Sequence, residues 1–302
     1  MGKALKYESI TIPLASADQI HMTRFYSDKN NLGAPVFLMH GFTQDSRCFY
    51  ASDGSGLACF LAQQGYDVFV ADLRGKGKSW PSVSGSFDFG VHHMINEDIP
   101  AILKKIVEKR GPVPQIWMGH GLGGVLLCSY YARYGNSFAP VTKMAHFGVS
   151  RYRKPLTAKI QSFRDRLNRY LSLALIAING YFPAKTFLLG NCNESAGSYK
   201  DYIKWTHSTH WLDENDGFSY SQAVAKRHWP PSFYFSSVAD YRFGNTENVR
   251  LFMKELGVHD ARMMILSRRD GNLRDYTHLE MVGHVDGNND HFPILLDWLK
   301  NT

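Results

Sequence analysis

Ile116-Trp117-Met118-Gly119-His120-Gly121-Leu122-Gly123-Gly124 reads as an apolar strand, a sharp glycine-framed turn and the opening of a helix. This is the sequence form of a nucleophile elbow, G-x-S-x-G, with glycine in the central position. Glycine has no side chain and cannot attack a carbonyl. Two questions follow from that one position: what scaffold surrounds the turn, and what chemistry survives without a nucleophile.

Upstream of the elbow, residues 7–14 and 19–27 alternate polar and apolar around a turn and predict an antiparallel hairpin. Pro35-Val36-Phe37-Leu38-Met39 and Asp67-Val68-Phe69-Val70-Ala71-Asp72 are near-continuous apolar runs, the pattern of strands covered on both faces. Between them a helix is expected at about Gly56 to Gln64, closed by Gly65. A further helix is expected at 94–110. Downstream, small and apolar residues from Leu122 to Tyr134 predict a helix packed closely under a sheet, followed by a strand at Lys143 to Val149. The strand–helix rhythm resumes at Ser232-Phe233-Tyr234-Phe235-Ser236-Ser237. It continues with a helix at 246–256, a strand at Arg262 to Ser267 and a last helix from Asp290, an apt N-cap, to Asn301.

Strands alternating with helices imply an α/β fold, a mostly parallel central sheet with helices on both faces. Between the two halves, residues 151–231 lack this alternation. They carry a long helical segment, basic at its start and rich in Leu171, Leu173, Leu175, Ile176 and Ile178 at its end, then Trp205, Trp211 and Trp229. A structureless loop of that length is improbable in a compact domain. The expected organisation is a core of residues 1–150 and 232–302 with an inserted helical cap at 151–231. The cap's aromatic content suits either a greasy ceiling over a site or a seal between cap and core.

The 302 residues are 44% hydrophobic, enough for one large core with a smaller cap. Cys48, Cys59, Cys128 and Cys192 lie far apart, with no CxxC pair, so no metal or cofactor and no disulfide framework is expected, and a reducing compartment is the default. Met1-Gly2-Lys3-Ala4-Leu5-Lys6 has no apolar h-region and lacks Ser or Thr at position 6, which argues against a signal peptide or a myristoyl site. With no apolar stretch long enough for a bilayer, a cytoplasmic location is expected. The net charge of +7 is mild over this length and reads first as a solvated basic surface. Arg151, Arg153, Lys154, Arg164, Arg166 and Arg169 concentrate after residue 150 and could face anionic lipid or an acidic ligand. No nucleic-acid-binding motif accompanies them.

The chain resembles the α/β-hydrolase superfamily in its lipase/esterase branch. The marks are His40-Gly41 after the third strand, Asp72-Leu73-Arg74-Gly75-Lys76-Gly77-Lys78-Ser79 after the fourth, and the elbow at 119–124. Asp98-Ile99-Pro100-Ala101 and the tail from His278-Leu279-Glu280 through Phe292-Pro293 to Asp297-Trp298-Leu299 are similar to lysosomal and gastric lipases and their bacterial cousins. Members carry Ser, Asp or Cys where this chain has Gly121.

The resemblance implies a triad in the chain order nucleophile, acid, histidine, which places the candidates at Gly121, Asp240 and His278. Asp240 follows the strand 232–237 closely and would orient an imidazole. His278, in the loop after the last strand, would move the proton, with His284 and His291 as the other candidates. The resemblance also implies an oxyanion hole from the backbone N–H groups of Phe42 and Leu122, which needs no serine. His120 is expected to pack, Cys128 to be buried, and Ser79 and Ser129 lack the turn and partner of a nucleophile.

Glycine removes the backbone strain of an elbow and its nucleophile together, so the expectation is a firmer fold with far weaker chemistry. Three functions fit. One is a protein of lipase/esterase lineage that keeps a hydrophobic acyl or ester ligand as a non-catalytic binding or regulatory module, resembling the N-myc downstream-regulated proteins. Another is hydrolysis of that ligand by water activated by His278 and Asp240. Or the chain is an ordinary serine esterase altered at one residue.

Overall fold

The computed structural model describes residues 5–15, 17–28, 30, 32–153 and 159–301. Met1–Ala4 and Lys154 of the segments singled out above lie outside them, as do the side chains of Arg164 and Arg166.

Eight strands form one sheet: β1 (Lys6–Pro13), β2 (Gln19–Tyr26), β3 (Pro35–Met39), β4 (Asp67–Asp72), β5 (Gln115–His120), β6 (Val141–Phe147), β7 (Ser232–Ser237) and β8 (Ala261–Leu266). Their spatial order is β1-β2-β4-β3-β5-β6-β7-β8. β1 pairs antiparallel with β2, and β2 antiparallel with β4; every pairing from β4 to β8 is parallel. β3, β4 and β5 are buried at every residue, which explains their unbroken apolar sequence.

The period-two geometry of a strand sorts these side chains onto two faces. Val36, Leu38, Val68, Val70, Ile116 and Met118 point to one side, against α1 (Leu57–Gln63) and the final helix. Phe37, Met39, Phe69, Ala71 and Trp117 point to the other. There they meet Ile99, Ile102, Leu103 and Ile106 of α2 (Ile99–Arg110) and Val125, Leu126 and Tyr130 of α3 (Leu122–Tyr134). The helix expected at 94–110 begins instead with a π-helical turn, Met94–Asp98.

Between β6 and β7 lie α4 (Lys159–Asn179), a short antiparallel pair (Tyr181–Phe182 with Glu194–Ser195), α5 (Ala196–His207) and a helical turn at Tyr220–Val224. Ile176, Phe182, Ala184, Ala196 and Tyr199 make a small core of their own that takes in Phe42. Trp205, Trp211, Tyr220 and Trp229 join the main core and pack around it with Phe252 of α6 (Thr246–Glu255). The tryptophans therefore seal this segment to the core; they do not roof a site. Arg151 adds to the seal: it is 2% exposed, pairs with Glu255 and donates to the Trp205 and Ser208 carbonyls.

The last helix is α7 (His291–Asn301). Asp290 precedes it, but its carboxylate ties down the preceding loop, accepting from Asn272, Leu273 N and Tyr276. No helix among the described residues is long and apolar enough to cross a membrane.

Candidate functional site

β5 ends at His120, Gly121 turns the chain at φ +50° and ψ −124°, and α3 begins at Leu122. That φ is open to glycine and costs another residue about 1–3 kcal/mol. The turn is also too crowded for side chains around it. A Cβ on Gly119 would stand 2.2 Å from Gly124 Cα, and one on Gly123 2.3 Å from the Met39 carbonyl oxygen. The glycines thus let the start of α3 press onto the end of β3. As the first helical residue, Leu122 has an N–H without an intrahelical acceptor, at the positive end of the helix dipole.

Asp240 lies three residues beyond β7 and is 2% exposed. Its Oδ1 accepts from Phe243 N at 3.0 Å and its Oδ2 from Gly244 N at 2.9 Å. Oδ2 also lies 2.5 Å from Nδ1 of His278. Burial opposes the charge, but the His278 bond and the two amides outweigh it and hold this carboxyl below the usual range. An ionised carboxylate only accepts, so Nδ1 of His278 carries a proton, and in the neutral ring Nε2 carries the lone pair. Nε2 is 3.0 Å from the place of a Cβ on Gly121. The three positions proposed from sequence therefore meet at one point. His284 instead contacts Arg274 and Asp286, and His291 bonds the Met281 carbonyl.

The His278 ring is held by neighbours that sequence reasoning missed. Gly148, at φ +57°, backs it so closely that a Cβ there would come within 2.8 Å of Nδ1. The Phe243 ring lies 5.2 Å away, centroid to centroid. His120 is fully buried and links the Gln44 side-chain amide (Nδ1, 2.9 Å) to the His278 carbonyl (Nε2, 2.8 Å). Burial, with the nearby His278, drives its pKa well below the ordinary value. It is a brace as well as packing.

The Phe42 loop is fixed from both sides. The buried His40 ring spans the Gly41 carbonyl (Nδ1, 3.0 Å) and the Leu73 amide, which donates to Nε2 at 3.1 Å; burial keeps the ring neutral. Thr43 sits at φ +57°. Its N–H donates to Glu194 Oε1 at 2.6 Å, and its carbonyl accepts from Asn191 N and Cys192 N. Glu194, 1% exposed, also pairs with Lys76 Nζ at 2.6 Å and accepts from Ser198 Oγ at 2.7 Å. The glycine–lysine turn was visible in sequence, but nothing marked Lys76 as buried or Glu194 as its partner.

A cavity of about 340 Å³ opens onto Gly121, Asp240 and His278. Phe42, Leu122, Leu189, Tyr202, Phe243 and Leu279 supply its apolar lining. Phe42 and Tyr202 stack at 3.9 Å and 10°, so the segment between β6 and β7 contributes one wall. Arg153 at the rim pairs with the Tyr202 hydroxyl and lies over the Phe243 ring.

Other candidates have structural work. Ser79 Oγ donates to the Asp72 carbonyl, Ser129 Oγ to the Val125 carbonyl, and Cys128 is buried with its thiol pKa pushed up. Among the described residues, His92, Asp213 and Asp216 bring donor atoms within 4.8 Å of one another, but Arg133 contacts both carboxylates and supplies the cation they need.

Sequence comparison agrees with this fold. The profile of the alpha/beta hydrolase fold matches residues 34–240. Lipase lipl-5 of Caenorhabditis elegans is 26% identical over 189 residues, which is 57% of this chain and 45% of that protein. Sterol esterase 2 of Saccharomyces cerevisiae is 27% identical over 124 residues, 37% of this chain and 23% of that protein. The chain thus spans less than half the length of these relatives. An esterase from Exiguobacterium antarcticum superposes with a TM-score of 0.62 at 14% identity, covering 97% of this chain and all of that one. The chain belongs to the α/β-hydrolase fold family, and within it is lipase/esterase-like.

Proposed function

We propose that this protein binds the acyl portion of a hydrophobic ester or fatty acid in the cavity above Gly121 and does not hydrolyse it through a serine acyl-enzyme. One observation carries the reading: an apolar cavity meets an ordered His278–Asp240 pair at a residue with no side chain. Loss of the nucleophile from a serine hydrolase can cost on the order of 10⁶ in kcat, while binding contacts and backbone oxyanion donors remain. Phe42 and Leu122 are the donors in this reading, and residues 151–231 act as the cap that closes the acyl side. The lipase and sterol esterase names of the relatives support an acyl ligand.

A second reading rests on the 2.5 Å His278–Asp240 contact. That pair could draw a proton from a water standing in the space beside Gly121, giving slow hydrolysis.

The test uses p-nitrophenyl esters of short and long acyl chains with the protein and with Gly121→Ser. The variant should gain turnover and react with a fluorophosphonate, while the unaltered chain should do neither at a comparable rate. A folded Gly121→Ser that gains nothing sinks the esterase ancestry of the site. Thermal stabilisation by decanoate or longer fatty acids tests binding itself, and no shift across such a panel counts against an acyl ligand.

A further inference from the structure

We propose that His278 itself is a nucleophile, and that Nε2 takes an acyl group from esters or thioesters with a good leaving group. The inference rests on the acyl-binding reading above and deepens it. In a complete serine site the histidine stands behind the hydroxyl and only handles its proton. Here Gly121 puts no side chain in front of the ring. Nε2 lies 3.0 Å from the place of a Gly121 Cβ, so it fronts the space a serine oxygen would fill.

Three features make this nitrogen suited to attack. Asp240 holds the Nδ1 proton at 2.5 Å, so the Nε2 lone pair faces the cavity. Among the described residues, no hydrogen-bond partner occupies Nε2, and the ring bonds Asp240 through Nδ1. Gly148, Phe243 and His120 fix the ring plane, so the lone pair points in one direction. Phe42 and Leu122, whose amides are the oxyanion donors in the binding reading, line the same cavity as His278.

The step balances without an outside oxidant or reductant. The Nε2 lone pair forms the N–C bond, and the carbonyl pair moves to the oxygen. That pair then returns to expel the alkoxide or thiolate as the C–O or C–S bond breaks. The acyl-imidazolium gives its Nδ1 proton to Asp240, from which it passes to solvent. Water then adds to the acyl carbon, one of its protons passes to the ring as the N–C bond breaks, and the carboxylic acid leaves with neutral His278 restored. Departure of the leaving group has no acid to assist it, because the ring that would donate is the one acylated. This confines the reaction to leaving groups that are stable anions, such as phenolates and thiolates, and excludes alkyl glycerides.

p-Nitrophenyl butyrate is the probe. Stopped-flow release of nitrophenolate should show a burst approaching one per chain, followed by slower turnover. Acid-quenched mass spectrometry should place a butyryl group on the peptide containing His278, removable by hydroxylamine. His278→Ala and Asp240→Asn should each lose the burst, and an unchanged unfolding transition shows that the fold is kept. Turnover without burst or adduct overturns the inference in favour of activated water, and an adduct on another residue overturns it as well. Decanoate binding is read in parallel by thermal shift. A shift without any adduct removes the nucleophile and leaves the binding reading standing; neither signal removes both.

Discussion

His278 Nε2 stands 3.0 Å from the position of a Cβ on Gly121, so a side chain there requires the ring to give by a few tenths of an ångström. The histidine has therefore settled a few tenths of an ångström into space that a nucleophile would use. Gly121→Ala should lower stability by about 1–3 kcal/mol from the positive φ alone, with the His278 contact adding to it. Gly121→Ser should show the same loss together with a gain in ester turnover. Urea unfolding of both variants reads the loss. A Gly121→Ala protein as stable as the parent would mean that the turn relaxes and that glycine is not required there by its backbone.

The buried Glu194 gives a separable prediction. It holds Thr43 at φ +57° and compensates Lys76. Glu194→Ala leaves a buried ammonium unpaired and should cost about 3–5 kcal/mol. Pairing Lys76→Met with Glu194→Leu removes both charges and should restore most of that stability. It does not restore an acceptor for the Thr43 amide, so the Phe42 loop should loosen and decanoate affinity should still fall. Wild-type affinity in the double variant would show that Glu194 does not set the loop.

Acid stability has an identifiable contributor in His146. Its ring is 1% exposed on β6, stacks on Tyr234 at 4.6 Å, and among the described residues has a hydrogen-bond partner for neither nitrogen. Burial, helped by the nearby His259, lowers its pKa to about 3. The folded value lies below the unfolded one of about 6.5, so the unfolded chain binds the proton first. Stability is complete above pH 6.5 and falls as the pH drops toward 3, by about 3 kcal/mol at pH 4. His146→Phe should flatten that part of the curve. Matching slopes for the two proteins between pH 6.5 and 4 would place the acid sensitivity elsewhere.

These residues also mark how far the sequence could be read. β3, β4 and β5 were legible because burial on both faces demands unbroken apolar runs, and the elbow was legible because close packing demands glycine at 119, 123 and 124. Asp240 and His278 were proposed through the chain order that the family resemblance implies, which spacing alone does not supply. β6 was expected at 143–149 and lies at Val141–Phe147. Gly148 between Phe147 and Val149 looks like strand, but its φ of +57° ends the strand and makes room for His278. Asp290 looked like a helix cap, whereas its carboxylate found three donors in a loop eighteen residues upstream or nearer. Glu194, Lys76, Gln44 and His120 act through contacts distant in sequence, and a single chain carries no local signature of such partners.

The elbow glycines make a ranked prediction. A Cβ on Gly119 meets Gly124 Cα at 2.2 Å, and one on Gly123 meets the Met39 and His40 carbonyl oxygens at 2.3 and 2.4 Å. Backbone cannot step aside, so α3 would have to lift from the sheet. Gly124 is blocked at 2.4 Å by the Val149 side chain, which can move in part. Gly65, after α1, has φ +96° and nothing within 4 Å of its Cβ position, so Ala there meets strain alone. Gly119→Ala and Gly123→Ala should therefore exceed the usual overpacking cost of about 1–3 kcal/mol. Gly124→Ala should fall within it, and Gly65→Ala should cost about 1 kcal/mol. Denaturant midpoints at matched slope give the order directly. If Gly123→Ala proves milder than Gly65→Ala, close approach of α3 to β3 is not what selects glycine at the elbow.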